Sequence, residues 1–208
     1  INLPVERIDE GINQALREVA EFAGMNQTYV FLFEDDGKVS CRYEWCDDAF
    51  EPQIDYLQQI DLNAAFPWYA ERLGTLQTVS IPNVAELPPE AAAFKGELER
   101  EGIESLVDVP MVSAGRLVGF LGFASIHKEM DTGSELVPVF RIMGEIIVNS
   151  LERLSKEEEL RQSDQDRRQA QRLARIGRWT WDIDADAIHW TNEVHEFLDI
   201  PRQTTGLS

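Results

Sequence analysis

Sulfur and imidazole are scarce in this chain of 208 residues, which has two cysteines and three histidines. Cys41 and Cys46 lie in one predicted strand, five positions apart. That odd offset points them to opposite faces, so a mutual disulfide is not expected. With His127, His189 and His195 scattered, no set of close N/S ligands forms, and a metal centre is not expected either. The expected state is two reduced thiols in a cytoplasmic protein. Long apolar runs are missing as well: none reaches about 18 residues, so no membrane span is expected. No basic stretch followed by an apolar one opens the sequence, so neither a signal peptide nor direct membrane contact is expected. Positive charge is the last deficit. Nineteen Lys and Arg face 38 Asp and Glu, a net charge of -19, which argues against nucleic acid or anionic lipid as a partner. Nucleophile elbows, phosphate-binding glycine loops and the His-Glu-x-x-His pattern do not occur. The paired carboxylates Asp35/Asp36 and Asp47/Asp48 sit where turns are expected, so no catalytic residue is assigned.

What is present is organised around a hairpin. Ser105–Val112 and Arg116–Ser125 are apolar runs joined by Ser113-Ala114-Gly115. Counting by twos puts Leu117, Leu121 and Phe123 on one face and Val118 and Phe120 on the other. Both faces are apolar, which predicts a central strand covered on each side. Gly119 and Gly122 interrupt it, as glycine does where something approaches closely. Upstream, Ile8, Ile12, Leu16, Val19 and Phe22 predict a helix stopped by Gly24. A strand over Thr28–Glu34 turns at Asp35-Asp36-Gly37 into a second over Lys38–Asp47, with Val39, Cys41, Tyr43 and Trp45 sharing a face. After an irregular stretch over 51–65, Pro67 opens a short helix that Gly74 stops, and Thr78–Pro82 reads as an edge strand. A helix from Ala91 to Arg100 leads back to the hairpin. The order is α+β with an antiparallel sheet.

A long helix over 134–175 follows, with Thr132–Glu135 offering cap residues and Pro138 tolerated in the first turn. Leu136, Phe140, Met143, Ile147, Leu151 and Leu154 have the rhythm of a packed or coiled-coil seam. Between Lys156 and Arg172 the apolar points thin out, leaving two readings: a solvated charged helix or a parallel coiled-coil connector. From 176 on, strand-like alternation through Trp179 and Trp181, a turn, and Ile188–Thr191 suggest a separate small unit.

Residues 5–155 resemble a bacterial GAF domain, of the type placed before histidine kinases and diguanylate cyclases or phosphodiesterases. The resemblance is carried by Tyr29-Val30-Phe31, Tyr43-Glu44-Trp45-Cys46, Phe66-Pro67-Trp68, the stretch from Ile81 to Ala91, Gly102–Leu106, Val109-Pro110 and Leu117–Phe123. Residues 175–200 resemble the opening of a PAS domain through Gly177, Trp179, Trp181-Asp182 and Ile188-His189-Trp190-Thr191. The expected organisation is a GAF-like domain over 1–133, a helical linker over 134–175 and the N-terminal fragment of a PAS-like domain over 176–208. The resemblance implies an antiparallel sheet between helices, with the first and last helices on one face and a ligand cavity on the other. It also implies a sensory input module whose output, kinase or cyclic di-guanylate turnover, lies outside the chain. Bilin-binding relatives attach their cofactor at a cysteine in a helix, often beside a histidine. Here both cysteines fall in a strand, which argues against bilin attachment, and the cofactor, if any, is unknown. Where similar domains often show Gly-Phe-Asp, this chain has Gly122-Phe123-Ala124.

The pocket is expected where the short helices cover the sheet. Candidates from the helices are Phe66, Trp68, Tyr69, Arg72 and Phe94; from the strands, Tyr43, Trp45, Ser105, Val107 and Phe120. Such aromatics suit a small-molecule site but also fill space as core. Three functions stay open: a small-molecule sensor, a ligandless dimerisation module, and a GAF-type methionine sulfoxide reductase, which would need accessible nucleophilic thiols. The expected partner is a second copy, paired through the N- and C-terminal helices.

Overall fold

The computed structural model describes residues 7–48, 50–126, 136–173 and 177–199. They belong to two units, 1–154 and 155–208. In the first, α1 (Ile8–Ala23) buries Ile8, Ile12, Leu16 and Ala20, a four-residue repeat that lines one helix face. Gly24 ends it in the left-handed region at φ 67, where its N–H returns to the carbonyls of Ala20 and Glu21. Five antiparallel strands follow: β1 (Gln27–Phe33), β2 (Val39–Cys46), β3 (Val79–Ile81), β4 (Ser105–Ser113) and β5 (Arg116–Ser125). They lie in the order β2-β1-β5-β4-β3, so β5 is central, with apolar side chains packed on both faces. On one face lie α1 and the first half of α5 (Leu136–Leu173), where Phe123 stacks on Phe140 at 3.7 Å between ring centres. On the other lie α2 (Leu62–Ala65), α3 (Pro67–Gly74), α4 (Ala92–Arg100) and two 3-10 turns, Val84–Glu86 and Pro89–Ala91. This is the α+β architecture that the element order predicts.

Two β-bulges change which residues share a face. Val30 pairs with Tyr43 and Phe31 with Cys41, leaving Arg42 unmatched in β2. An extra residue shifts the alternation by one. Val39 and Cys41 therefore pack with Phe31 under the short helices, while Tyr43 and Trp45 pack on the α1 side. The single face expected for these four residues is split. In β5, Met111 pairs with Gly119 and Val112 with Leu117, leaving Val118 unmatched. Val118 thus joins Leu121 and Phe123 on the helical face, and Leu117 joins Phe120 on the other, the reverse of the simple count.

The α5 stripe also meets a different partner from a coiled coil's. Phe140, Met143 and Ile147 are buried against the chain's own sheet, with Leu136, Leu151 and Leu154 packed at the margin. A second stripe is left outward: Val139, Ile142 and Ile146 are 41%, 58% and 44% exposed. Farther along, Leu160 is exposed and the charges pair within the helix, Arg161 with Glu158 and Arg167 and Arg168 with Asp164. The expected cap, Thr132–Glu135, lies outside the described residues, as do His127 and Ile176.

In the second unit, β6 (Trp179–Asp182) and β7 (Ala187–Trp190) form a hairpin followed by α6 (Asn192–Leu198). The Asp182 carboxylate accepts the Asp184 and Ala185 N–H groups at 3.1 and 3.0 Å and holds the turn. Trp179 and Trp181 are exposed. Among the described residues, no helix is long and apolar enough to cross a membrane.

Candidate functional site

Asp108 is the one acidic residue in the buried strand β4, and it is 1% exposed. Directly across from it on β5 is Gly122, which also pairs with Tyr29 on β1. Cross-strand partners share a face, so Tyr29, Gly122 and Asp108 form a row across three strands beneath the short helices. With no side chain at 122, the Tyr29 ring reaches across and its hydroxyl donates to Asp108 Oδ1 at 3.0 Å. A Cβ at 122 would collide with both the ring and the carboxylate. From above, the Tyr69 hydroxyl on α3 donates to Oδ2 at 2.7 Å. Burial pushes the Asp108 carboxyl up to about 7, against the opposing pull of the Tyr69 and Tyr29 hydrogen bonds. Burial and the charge of Asp108 in turn hold both tyrosine hydroxyls well above their usual range.

Aromatic rings wall the space around this carboxyl. Phe31 stacks on Phe120 at 4.9 Å, Tyr69 stacks on Phe94 at 4.4 Å, and Phe66 meets Phe94 edge-on at 5.5 Å. They leave a cavity of about 80 Å³ that Gln27, Glu97, Glu101 and Asp108 line with polar groups. Gln27 is 3% exposed; its Nε2 donates to Glu44 at 3.0 Å, while its buried Oε1 has no hydrogen-bond partner. The other Glu44 oxygen accepts the N–H groups of Gln53 and Ile54 at 2.8 and 2.7 Å, which fixes the chain leaving β2. That segment then pairs Ile60 with Val39, covering the β2 edge and bringing Leu57 and Ile60 to the cavity. Burial, then the neighbouring Glu97, pushes the Glu101 carboxyl up to about 7, and Arg100 opposes this. No cationic side chain is among the residues lining the cavity.

Of the residues singled out in the sequence, this cavity gathers Phe66, Tyr69, Phe94 and Phe120. Trp68 and Arg72 line a separate surface cleft, the Arg72 guanidinium lying 3.9 Å over the Trp68 ring. Tyr43, Trp45 and Val107 are on the opposite face, among α1 and α5. For Tyr43 and Trp45 the Arg42 bulge is the cause; for Val107, its pairing with Phe123 decides the face. Ser105 is buried at the start of β4, away from the cavity lining. Sequence reasoning missed Asp108, Tyr29, Gln27 and Glu101. For Asp108 a signal existed: a lone carboxylate inside Leu106-Val107-Asp108-Val109, in a strand expected to be buried on both sides.

Two further features bear on function. Burial pushes the Cys41 thiol up to about 12 and raises Cys46 as well, so neither is poised as a thiolate near neutral pH. On the helical side, a groove of about 310 Å³ runs between α1 and α5, lined by Ile12, Ala15 and Val19 and by Val139, Ile142 and Ile146.

This architecture is shared with solved structures. It resembles the blue-light absorbing form of the PixJ GAF domain from Thermosynechococcus elongatus, with a TM-score of 0.61 at 17% identity, covering 78% of this chain and 96% of that one. A domain described as part of a two-component sensor histidine kinase protein from Sinorhizobium meliloti gives a TM-score of 0.58 at 16% identity, covering 74% and 97%. In sequence, the chain is 31% identical over 132 residues to the methanogenesis regulatory histidine kinase FilI of Methanothrix harundinacea. That match takes in 59% of this chain and 14% of the length of the relative. Residues 7–149 match the GAF domain family, so this chain belongs to it.

Proposed function

We propose that the chain is the sensory input part of a cytoplasmic signalling protein of the histidine kinase or cyclic di-guanylate type, with the catalytic output carried by a segment outside these 208 residues. In this reading the cavity under α3 and α4 binds a small molecule, and α5 relays the change. The observation that carries it is the buried Asp108 with its two tyrosine partners, set in an aromatic cavity. A carboxyl without a cation costs stability where an apolar residue would pack, so its place is better explained by recognition than by folding. The similarity to a regulatory kinase supports the signalling role.

Pairing of two copies belongs to the same reading. The groove between α1 and α5 is apolar, and the exposed stripe Val139, Ile142 and Ile146 lies along it. Two such faces packed together would run both α5 helices in parallel toward paired outputs. The hairpin 179–190 with α6 would begin a PAS-like domain, its exposed tryptophans covered by the remainder of that domain. One observation favours a ligandless dimerisation module instead: at about 80 Å³ the cavity is small. The raised thiols weigh against a reductase.

Native mass spectrometry of the protein purified from cells tests both parts. The expected result is a dimer with bound mass that is lost on denaturation. A bare polypeptide mass would overturn the sensor reading, and a monomer at tens of micromolar would overturn the pairing.

A further inference from the structure

The cavity beside Asp108 is rich in acceptors and poor in donors. It is lined by Asp108 on β4, Glu97 on α4 and Glu101 just past the end of α4, and Glu44 on β2 lies behind Gln27. The Tyr29 and Tyr69 hydroxyls are already spent on Asp108. Gln27 Oε1, at the cavity wall, is buried and unpartnered, an acceptor waiting for an N–H group. A buried acceptor left open costs stability, and neither an anion nor a second acceptor can satisfy it. The walls include the rings of Phe31, Tyr69, Phe94 and Phe120, and the negative face of an aromatic ring attracts a cation. Among the described residues, no group of three or more His, Cys, Asp or Glu is arranged to hold a metal ion, so an organic cation suits the cavity better than an inorganic one. Size sets the last bound: about 80 Å³ accommodates roughly five to eight water-sized positions.

We infer that this cavity takes a small organic ammonium ion, of the size of a methylated amine. The inference rests on the sensor reading and narrows it to one ligand class. The ammonium N–H group would donate to Gln27 Oε1 or to Asp108, its methyl groups would lie against the rings, and its charge would offset the carboxylates. The raised carboxyls then give binding a direction with pH. A cation favours their ionised forms, so affinity rises between pH 6 and 8 and binding releases protons.

The test compares three probes that share a three-methyl head and differ in charge: trimethylammonium, tert-butanol and pivalate. Binding is followed by NMR at the Gln27 side-chain amide, which separates this cavity from the groove on the other face. Trimethylammonium is expected to bind with a millimolar or tighter Kd and at least about tenfold more tightly than the other two. Asp108→Asn is expected to lower its affinity more than about tenfold, and Glu101→Gln, at the rim and safer for the fold, by about threefold. Equal binding of tert-butanol, or preference for pivalate, would overturn the ammonium assignment and leave the sensor reading standing. No perturbation at Gln27 by any probe at about 10 mM would overturn both.

Discussion

The two faces of the sheet are built from similar side chains and finished differently. On the α1 and α5 face the core closes: Leu16, Leu121, Phe123, Phe140 and Ile147 are at most 2% exposed. Its one buried tyrosine hydroxyl, on Tyr43, reaches the rim and donates to Asp9, which is exposed on α1. On the α3 and α4 face comparable aromatics leave a cavity and surround a carboxyl. The first face is what stability alone selects; the second gives up packing and holds a charge. The difference supports the proposed site without reference to any relative, because a buried carboxyl with no cation beside it is a cost that folding does not require.

The largest expected effect tests the closed face. Phe123→Ala removes a fully buried ring stacked on Phe140 and is expected to cost about 3–5 kcal/mol in urea denaturation. A loss under about 1 kcal/mol would mean that this layer is no tighter than the other.

Next comes a pH dependence that belongs to the open face. Asp108 has a folded pKa of about 7 against an ordinary value of 3.8, so the native state holds a proton that the unfolded state has lost. The penalty is absent below the unfolded value, grows as pH rises from about 4 to 7, and is complete above 7. Stability should therefore fall across that window by up to a few kcal/mol, of which Glu101, only partly buried, contributes less. Asp108→Asn should flatten most of the slope. An unchanged slope in that variant would place the titration elsewhere.

These contrasts also show what could be read from the sequence. The helix over 8–22, the Asp35-Asp36-Gly37 turn and the central hairpin were legible because each rests on local periodicity or turn chemistry. The two bulges were not. Counting by twos carries no sign of one unmatched residue, so Arg42 and Val118 sent Tyr43, Trp45 and Leu117 to the wrong face. Four aromatics of the candidate cavity, Phe66, Tyr69, Phe94 and Phe120, were legible; its polar centre was not. Tyr29 and Tyr69 lie 79 and 39 residues from Asp108, and only the strand order and the packing of α3 on the sheet bring them together. The α5 stripe was legible as apolar, but periodicity does not say whether a sheet or a second helix covers it.

A smaller effect is expected at Gly122. Alanine there would force the Tyr29 ring aside and detach its hydroxyl from Asp108, at a cost of about 1–3 kcal/mol. Loss of the trimethylammonium response with the fold retained would tie the row across the strands to binding. A variant as stable as the parent would mean that Tyr29 has room that the packing does not show.

The finest comparison makes one chemical change on each face. Tyr69→Phe and Tyr43→Phe each delete a hydroxyl that donates to a carboxylate. On the open face the carboxylate is Asp108, which is buried and keeps Tyr29 as its other side-chain donor. On the closed face it is Asp9, exposed on α1 and able to recover its hydrogen bond from solvent. The two variants should thus differ by about 1 kcal/mol at pH 8, with Tyr69→Phe the less stable. The sign of the pH effect separates this from packing. Removing a donor that favours the ionised carboxyl raises the Asp108 pKa further, so the deficit of Tyr69→Phe should shrink as pH falls and Asp108 takes up a proton. Tyr43→Phe should show no such recovery between pH 8 and 5, since the carboxylate it donates to is exposed. Parallel stability profiles for the two variants would show that the Asp108 cluster is held no differently from an ordinary surface hydrogen bond, and the distinction between the faces would then rest on the cavity alone.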